Sequence, residues 1–192
     1  MSERLRIVVG ISGASGAIYG IRLLEVLSER PEIETHLIIS GAAEMTIRYE
    51  TGREPADVAA LADVTYGERD LAAALASGTF LTAGMVVAPC SMRTLSGVAN
   101  SANDNLIVRA ADVHLKERRR LVLVVRETPL HAGHLRLMAE ATASGAVILP
   151  PVPGFYQRPQ TVEDIVDHTI GKVLDVLGIS DHELFRRWTG PE

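Results

Sequence analysis

The sequence predicts an α/β fold in three layers, α/β/α, with helices on both faces of a mostly parallel sheet. Three observations carry that prediction. Short apolar runs alternate along the chain with segments whose apolar residues recur at helical spacing. Hydrophobic residues make up 47% of the 192-residue chain and aromatic ones only 4%, so the core is Ala, Val, Leu and Ile, the usual filling of a doubly covered sheet. Finally, the first strand runs through a turn of small residues straight into a helix, the opening of a βα unit.

In chain order, Leu5, Ile7, Val8, Val9 and Ile11 form the first strand, and Ser12-Gly13-Ala14-Ser15-Gly16-Ala17 the turn. Ile18, Ile21, Leu23, Leu24 and Leu27 mark the first helix. Glu34 to Ile39 reads as the second strand, ending on Ser40, and a helix follows around Ala43 to Glu50. Gly52-Arg53-Glu54-Pro55 is a polar linker, Val64-Thr65-Tyr66 a short strand, and Leu71 to Ala76 a short helix. Met85 to Ala88 is a buried strand closed by Pro89-Cys90-Ser91. Helices are expected over Thr94–Ala99 and Asn105–Lys116, then a strand over Leu121–Val125 and a helix over His131–Ser144. Ala146 to Leu149 is the last strand, Pro150 to Tyr156 a rigid loop, and Val162–Leu177 the last amphipathic helix. Residues 1–192 form one domain.

The opening turn puts backbone N–H groups and the positive end of a helix dipole at one place, a natural seat for a phosphate. Its glycines, Gly10, Gly13 and Gly16, do not have the G-x-G-x-x-G spacing, and the second strand ends on Ser40 rather than an acid. That disfavours NAD and favours a mononucleotide. No Lys-Ser or Lys-Thr follows the glycines, so the turn is not a Walker loop either. A plain packing turn is the alternative.

Composition narrows the class. A net charge of −5 argues against a general nucleic-acid binder. One cysteine excludes an internal disulfide and a multi-cysteine zinc site, and fits the cytoplasm. Arg4 and Arg6 lead directly into a strand, with no signal-peptide pattern. Leu71 to Met92 carries no charge and is long enough to span a bilayer. Ser77-Gly78-Thr79, Gly84 and Pro89 break it, so it reads as core and no membrane segment is expected.

In such a sheet, ligands bind outside the carboxyl ends of the strands. Those ends offer Ser12 to Gly16, Ser40, then Cys90, Ser91, Arg93 and Thr94, then Arg126 and Glu127, and lastly the loop bearing Tyr156. Hydroxyls, amides and basic groups on one rim suit a phosphate and a polar heterocycle. Ser40, Ser91 and Thr94 equally suit helix N-caps, Cys90 suits packing, and Lys116 to Arg120 suits a solvated helix end. His131 and His134 stand one helical turn apart with no third ligand at a telling spacing, so no metal site is expected.

Taken together, these residues resemble the UbiX-type flavin prenyltransferases. The resemblance is carried by Gly10 to Ala17, Ala76-Ser77-Gly78-Thr79-Phe80, Pro89-Cys90-Ser91-Met92-Arg93-Thr94-Leu95, Arg109 to Val113, Leu115 to Arg119, Arg126 to His131 and Pro153-Gly154-Phe155-Tyr156, in order along nearly the whole chain. It implies a Rossmann-like or flavodoxin-like subunit of a homo-oligomer, a dodecamer, with active sites at subunit junctions and the tail from about residue 160 to 192 packed on neighbouring subunits. It implies a metal-independent reaction in which dimethylallyl monophosphate alkylates reduced FMN across N5 and C6, with phosphate released. Prenylated FMN would then pass to a UbiD-type decarboxylase.

By match to the family's motifs, Gly13, Ala14, Ser15, Ser40, Ser91, Thr94 and Arg126 would hold FMN, with Met92 and Arg93 in the same cofactor loop. Lys116, Tyr156 and Lys172 would grip the prenyl phosphate. Glu50 and Glu127 would move protons, with Ser15 as a relay, and Trp188 would offer an aromatic face. The chemistry suits these types: fixed cations and a phenol stabilise a departing phosphate, an aromatic face an allylic cation, and a carboxylate takes a ring proton. Lys172 stands where some relatives carry Arg, keeping the charge without the bidentate fork. A non-catalytic flavin carrier would need Ser15 and Arg126 but not Glu127 or Tyr156. A direct flavin-dependent decarboxylase of the cysteine-decarboxylase kind would need an early His that is absent after the first turn.

Overall fold

The structure, a computed structural model, describes residues 4–190; the first three residues of the expected domain and the last two of its tail lie outside. Six strands, β1 (Leu5–Ile11), β2 (Ile33–Ile39), β3 (Val64–Tyr66), β4 (Gly84–Cys90), β5 (Arg120–Val125) and β6 (Val147–Ile148), form one sheet. Its order is β3-β2-β1-β4-β5-β6 and every pairing is parallel. This is the doubly wound Rossmann-like arrangement, with the chain reversing its direction of travel between β1 and β4.

Among the described residues seven α-helices flank the sheet: α1 (Ala17–Ser28), α2 (Gly41–Thr51), α3 (Pro55–Ala59), α4 (Met92–Ala99), α5 (Leu106–Lys116), α6 (Ala132–Ser144) and α7 (Val162–Leu177). Alternation along each strand sends its side chains to two cores. Val9 and Ile11 of β1 meet Ile21 and Leu24 of α1 and Ile170 and Leu174 of α7 on one face, where Ala43, Ile47 and Val58 bring in α2 and α3. Val8, Val87 and Leu123 meet Leu95 of α4, Ile107 of α5 and Ala141 of α6 on the other. Each such Ile or Leu contributes about 1.5–3 kcal/mol relative to exposure.

Four local differences from expectation have physical causes. The linker from Gly52 turns at Pro55 into α3, five residues long and too short to show a period. The helix expected over Leu71–Ala76 is one 3-10 turn, Ala74–Ala76, because Asp70 Oδ1 accepts from Ala72 N (3.2 Å) and starts a separate turn. β4 runs on to Cys90, its register shifting between Val87 and Cys90 where Pro89 has no N–H to offer. β6 keeps only two paired residues; Leu149 N still reaches Leu123 O, and Pro150 ends the ladder. The uncharged stretch is divided between this turn and β4, and no helix among the described residues is long and apolar enough to cross a membrane.

Candidate functional site

The reversal between β1 and β4 is tied by one buried hydroxyl. Ser12 Oγ donates to Pro89 O (2.8 Å) and accepts from Ser91 N (2.8 Å), so the carboxyl ends of β1 and β4 are held side by side. From there Gly13, Ala14 and Ser15 lead to Gly16, whose φ of 102° needs a glycine. Gly13 lies so close to Ala42 that no side chain fits between the turn and α2.

The first turn of α1 is not open. Glu50, from the end of α2, folds back so that its Oε2 accepts from Gly16 N (2.8 Å) and Ala17 N (3.0 Å). The phosphate seat expected at this helix end is thus corrected: the chain's own carboxylate fills it, as an anion at a helix N-terminus should. Burial pushes the Glu50 carboxyl up, but the Ser15 hydroxyl, the two amides and the charge of Arg126 outweigh it and hold it below the usual range. Glu50 is therefore ionised at neutral pH, in contact with Ser15 and within the field of Arg126.

Beside this turn lies a cleft of about 420 Å³ between the N-terminal ends of α2 and α4, lined by Gly13, Ser40, Ser91, Arg93 and Thr94 among others. Ser40 and Ser91 do cap their helices: Ser40 Oγ accepts from Ala43 N (3.1 Å) and Ser91 Oγ from Thr94 N (3.2 Å). Thr94 is not a cap but stands in the first turn of α4, its hydroxyl 3.1 Å from that of Ser91. Met92 opens α4, and the Arg93 side chain is 88% exposed, 3.7 Å from Asp104.

The two helix ends differ in one respect. Glu68 Oε2 accepts from Gly41 N (2.9 Å), so α2, like α1, carries an internal carboxylate. Among the described residues no carboxylate hydrogen-bonds the first turn of α4. Its amides, two hydroxyls and a guanidinium therefore leave this helix end, unlike those of α1 and α2, ready for an external phosphate. Glu68 was not foreseen; it lies in a loop without pattern, 27 residues from its partner.

Arg126 and Glu127 follow β5, both exposed, with Arg126 N donating to Cys90 O (3.2 Å) and Glu127 Oε1 accepting from Thr128 N (2.9 Å). The Arg126 charge acts on Glu50 and on the half-buried Tyr19, whose phenol burial pushes up. Tyr19 is a second residue missed in sequence, since no local motif marks it. Cys90 is fully buried and burial drives its thiol pKa far upward, consistent with packing. His131 caps α6, accepting from Gly133 N (3.0 Å), with its ring tilted 34° against that of His134 at 3.6 Å between centroids.

Tyr156 and Trp188 gather elsewhere, while Lys172 stands on α7 with its ammonium 3.9 Å from Asp175. Tyr156 and Trp188 help line a separate hollow of about 480 Å³, their rings edge to face at 6.0 Å. His168 ties Tyr156 to α7: its Nε2 lies 3.2 Å from the Tyr156 hydroxyl, and Lys172 stands one turn further along the helix. This hollow shares no lining residue with the first cleft. Lys116 is in neither. It ends α5, which starts beside the cleft at Asn105 and runs antiparallel to the strands, so its ammonium emerges at the opposite edge of the sheet, about 16 Å away, paired with Glu117.

The Flavoprotein family model matches residues 1–180. Flavin prenyltransferase UbiX of Escherichia coli (strain K12) is 58% identical over 186 residues, 96% of this chain and 98% of that protein. Among solved structures, AnUbiX (PadA1) in complex with FMN and dimethylallyl pyrophosphate has a TM-score of 0.95 at 51% identity, covering 99% of this chain and 100% of that one. A dodecameric FMN-dependent Ubix-like decarboxylase from Escherichia coli O157:H7 has a TM-score of 0.94 at 48% identity, covering 97% and 100%. Sheet order, rim and near-full-length identity agree, and the chain belongs to the UbiX-type flavin prenyltransferases within the Flavoprotein family.

Proposed function

We propose that this chain joins the dimethylallyl group of dimethylallyl monophosphate to reduced FMN, yielding prenylated FMN and phosphate. The observation that carries the reading is the open N-terminus of α4 beside a cleft, on a rim where α1 and α2 are closed by Glu50 and Glu68. The residues fit the group: a phosphate ester meets amides and hydroxyls of Ser91 to Thr94 with Arg93 near. Ser40, the close-approach turn at Gly13 and Ala14, and Arg126 would bind the rest of the flavin. Reduced FMN supplies the electron-rich N5 and C6 positions that receive the five-carbon group.

In this reading Tyr156 and Lys172 hold the prenyl phosphate by a phenol proton and a charge, and Lys116 adds a second cation. As the C–O bond breaks, these donors stabilise charge gathering on phosphate oxygen, and the Trp188 face stabilises the allylic carbon. Glu50 and Glu127 carry protons, Glu50 through its contact with Ser15. The separation of Lys116, the Tyr156 hollow and the flavin cleft within one chain supports a site completed by neighbouring copies. A homo-oligomer, a dodecamer by likeness to the Escherichia coli O157:H7 protein, would bring them together. The tail from about residue 160, which carries Trp188 at 66% exposure, would pack there on neighbouring subunits of a single-domain chain. The recipient of the product would be a UbiD-type decarboxylase in the cytoplasm.

The test is anaerobic incubation of the protein with reduced FMN and dimethylallyl monophosphate, or in a parallel arm the diphosphate, followed by mass analysis of the flavin. The expected result is a gain of one five-carbon unit with the monophosphate. Unchanged flavin mass in both arms would sink the proposal in favour of a flavin carrier.

A further inference from the structure

His168 has no role in the reading above, yet it stands directly behind Tyr156, at the edge of the hollow that Tyr156 lines. Its Nε2 is 3.2 Å from the Tyr156 hydroxyl, its ring meets the Tyr156 ring edge to face at 5.8 Å, and its other side meets Phe185 at 5.1 Å. The loop is shaped for it. A Cβ at position 154 would lie 2.9 Å from His168 Cε1 and 3.1 Å from Tyr156 Cε1, so Gly154 leaves the imidazole its place between loop and helix. Lys172 follows at i+4, on the same face of α7.

The direction of the hydrogen bond decides what the pair can bind. If the phenol donates to Nε2, its one proton is spent, and it turns only lone pairs toward a ligand. A phosphate monoester dianion offers only acceptors, so that arrangement repels it. If Nε2–H donates to the phenolic oxygen, the phenol's own O–H is free for the phosphate. The result is a donor chain in which each bond strengthens the next. We propose that His168 is a positioning residue for the prenyl donor: its Nε2–H donates to the Tyr156 oxygen and leaves the Tyr156 proton for the substrate phosphate. This rests on the reading that Tyr156 grips that phosphate. Burial and the Lys172 charge both lower the imidazole's pKa, so the neutral ring donates from one nitrogen only, and Tyr156 and the phosphate together select Nε2.

The experiment is steady-state kinetics with dimethylallyl monophosphate and saturating reduced FMN, for the wild type, His168→Phe, His168→Gln, Tyr156→Phe and the double variant His168→Phe/Tyr156→Phe. Loss of one neutral hydrogen bond corresponds to a rise in KM of about threefold to tenfold for His168→Phe, with kcat little changed. Gln, whose amide N–H can donate in the same direction, recovers most of the wild-type KM. The double variant is no worse than Tyr156→Phe alone, because His168 acts only through the phenol. An unchanged KM in His168→Phe beside a raised KM in Tyr156→Phe overturns the role of His168 alone. An unchanged KM in Tyr156→Phe overturns the reading of Tyr156 and this proposal with it. Multiplicative effects in the double variant also overturn the proposal. Should His168→Phe fail to assemble, His168→Asn, with an amide too short to reach the phenol, takes its place against His168→Gln, and equal KM values for these two overturn it.

Discussion

His114, on the inner face of α5, is a buried imidazole held neutral. One ring nitrogen lies 2.7 Å from Ala110 O and the other 2.9 Å from Thr82 Oγ1, while burial, aided by Arg119, pushes its pKa down to about 4. Well above pH 6.5 the ring is neutral folded or unfolded, and it adds no pH dependence. Between 6.5 and about 4 the unfolded chain takes up a proton that the native state refuses, so stability falls with falling pH, by about 3 kcal/mol in all. His36 is shifted in the same direction by burial, so the two act together. The expected outcome for His114→Gln is a flatter fall of the urea midpoint between pH 6.5 and 4; an unaltered slope would contradict the assignment. At this scale the sequence showed residue types but not long-range partners. Ser40 and Ser91 were legible because a strand end and a helix start meet at each. That Glu50 closes the α1 end was not, because the contact spans 34 positions and no local pattern encodes it.

Elements were legible where local signals agreed. α7 was readable to its ends because Thr161 and Asp164 make a capping box and Gly178 supplies the left-handed C-cap. α3 and β6 were not, since five residues show no period and a two-residue strand exists only through its neighbour. The β1–turn–α1 unit was visible as a strand, a small-residue turn and a helix, but how closely its parts pack was hidden. Gly20 shows why. A Cβ there would run into the carbonyl of Ala88 on β4 and lie 2.9 Å from Ile11 Cγ1, and backbone cannot yield as a side-chain tip can. Gly20→Ala gains about 1 kcal/mol in helix propensity yet should lose more by overpacking, for a net destabilisation of up to about 2 kcal/mol. Because α1 carries the turn, weaker FMN binding should accompany the lower melting temperature. Equal melting temperatures for variant and wild type would show that α1 slides away without cost.

At the scale of the whole molecule, parallel topology separates what the chemistry must unite. Helices that follow strands in such a sheet begin at the rim and end at the far edge, so Lys116, last in α5, is carried away from the cleft that Asn105 borders. No rotamer spans about 16 Å, so a Lys116 that serves the reaction must serve the site of another copy. This separates shared sites from self-contained ones. Lys116→Ala and Glu127→Gln should each be nearly inactive alone. Unfolded together in equal amounts and reassembled, they should form some junctions in which one copy offers intact Glu127 and its neighbour intact Lys116. With random mixing that is about a quarter of all junctions, and about a quarter of wild-type turnover should return. If both residues act within one chain, each chain still lacks one of them in every mixture, and no activity returns.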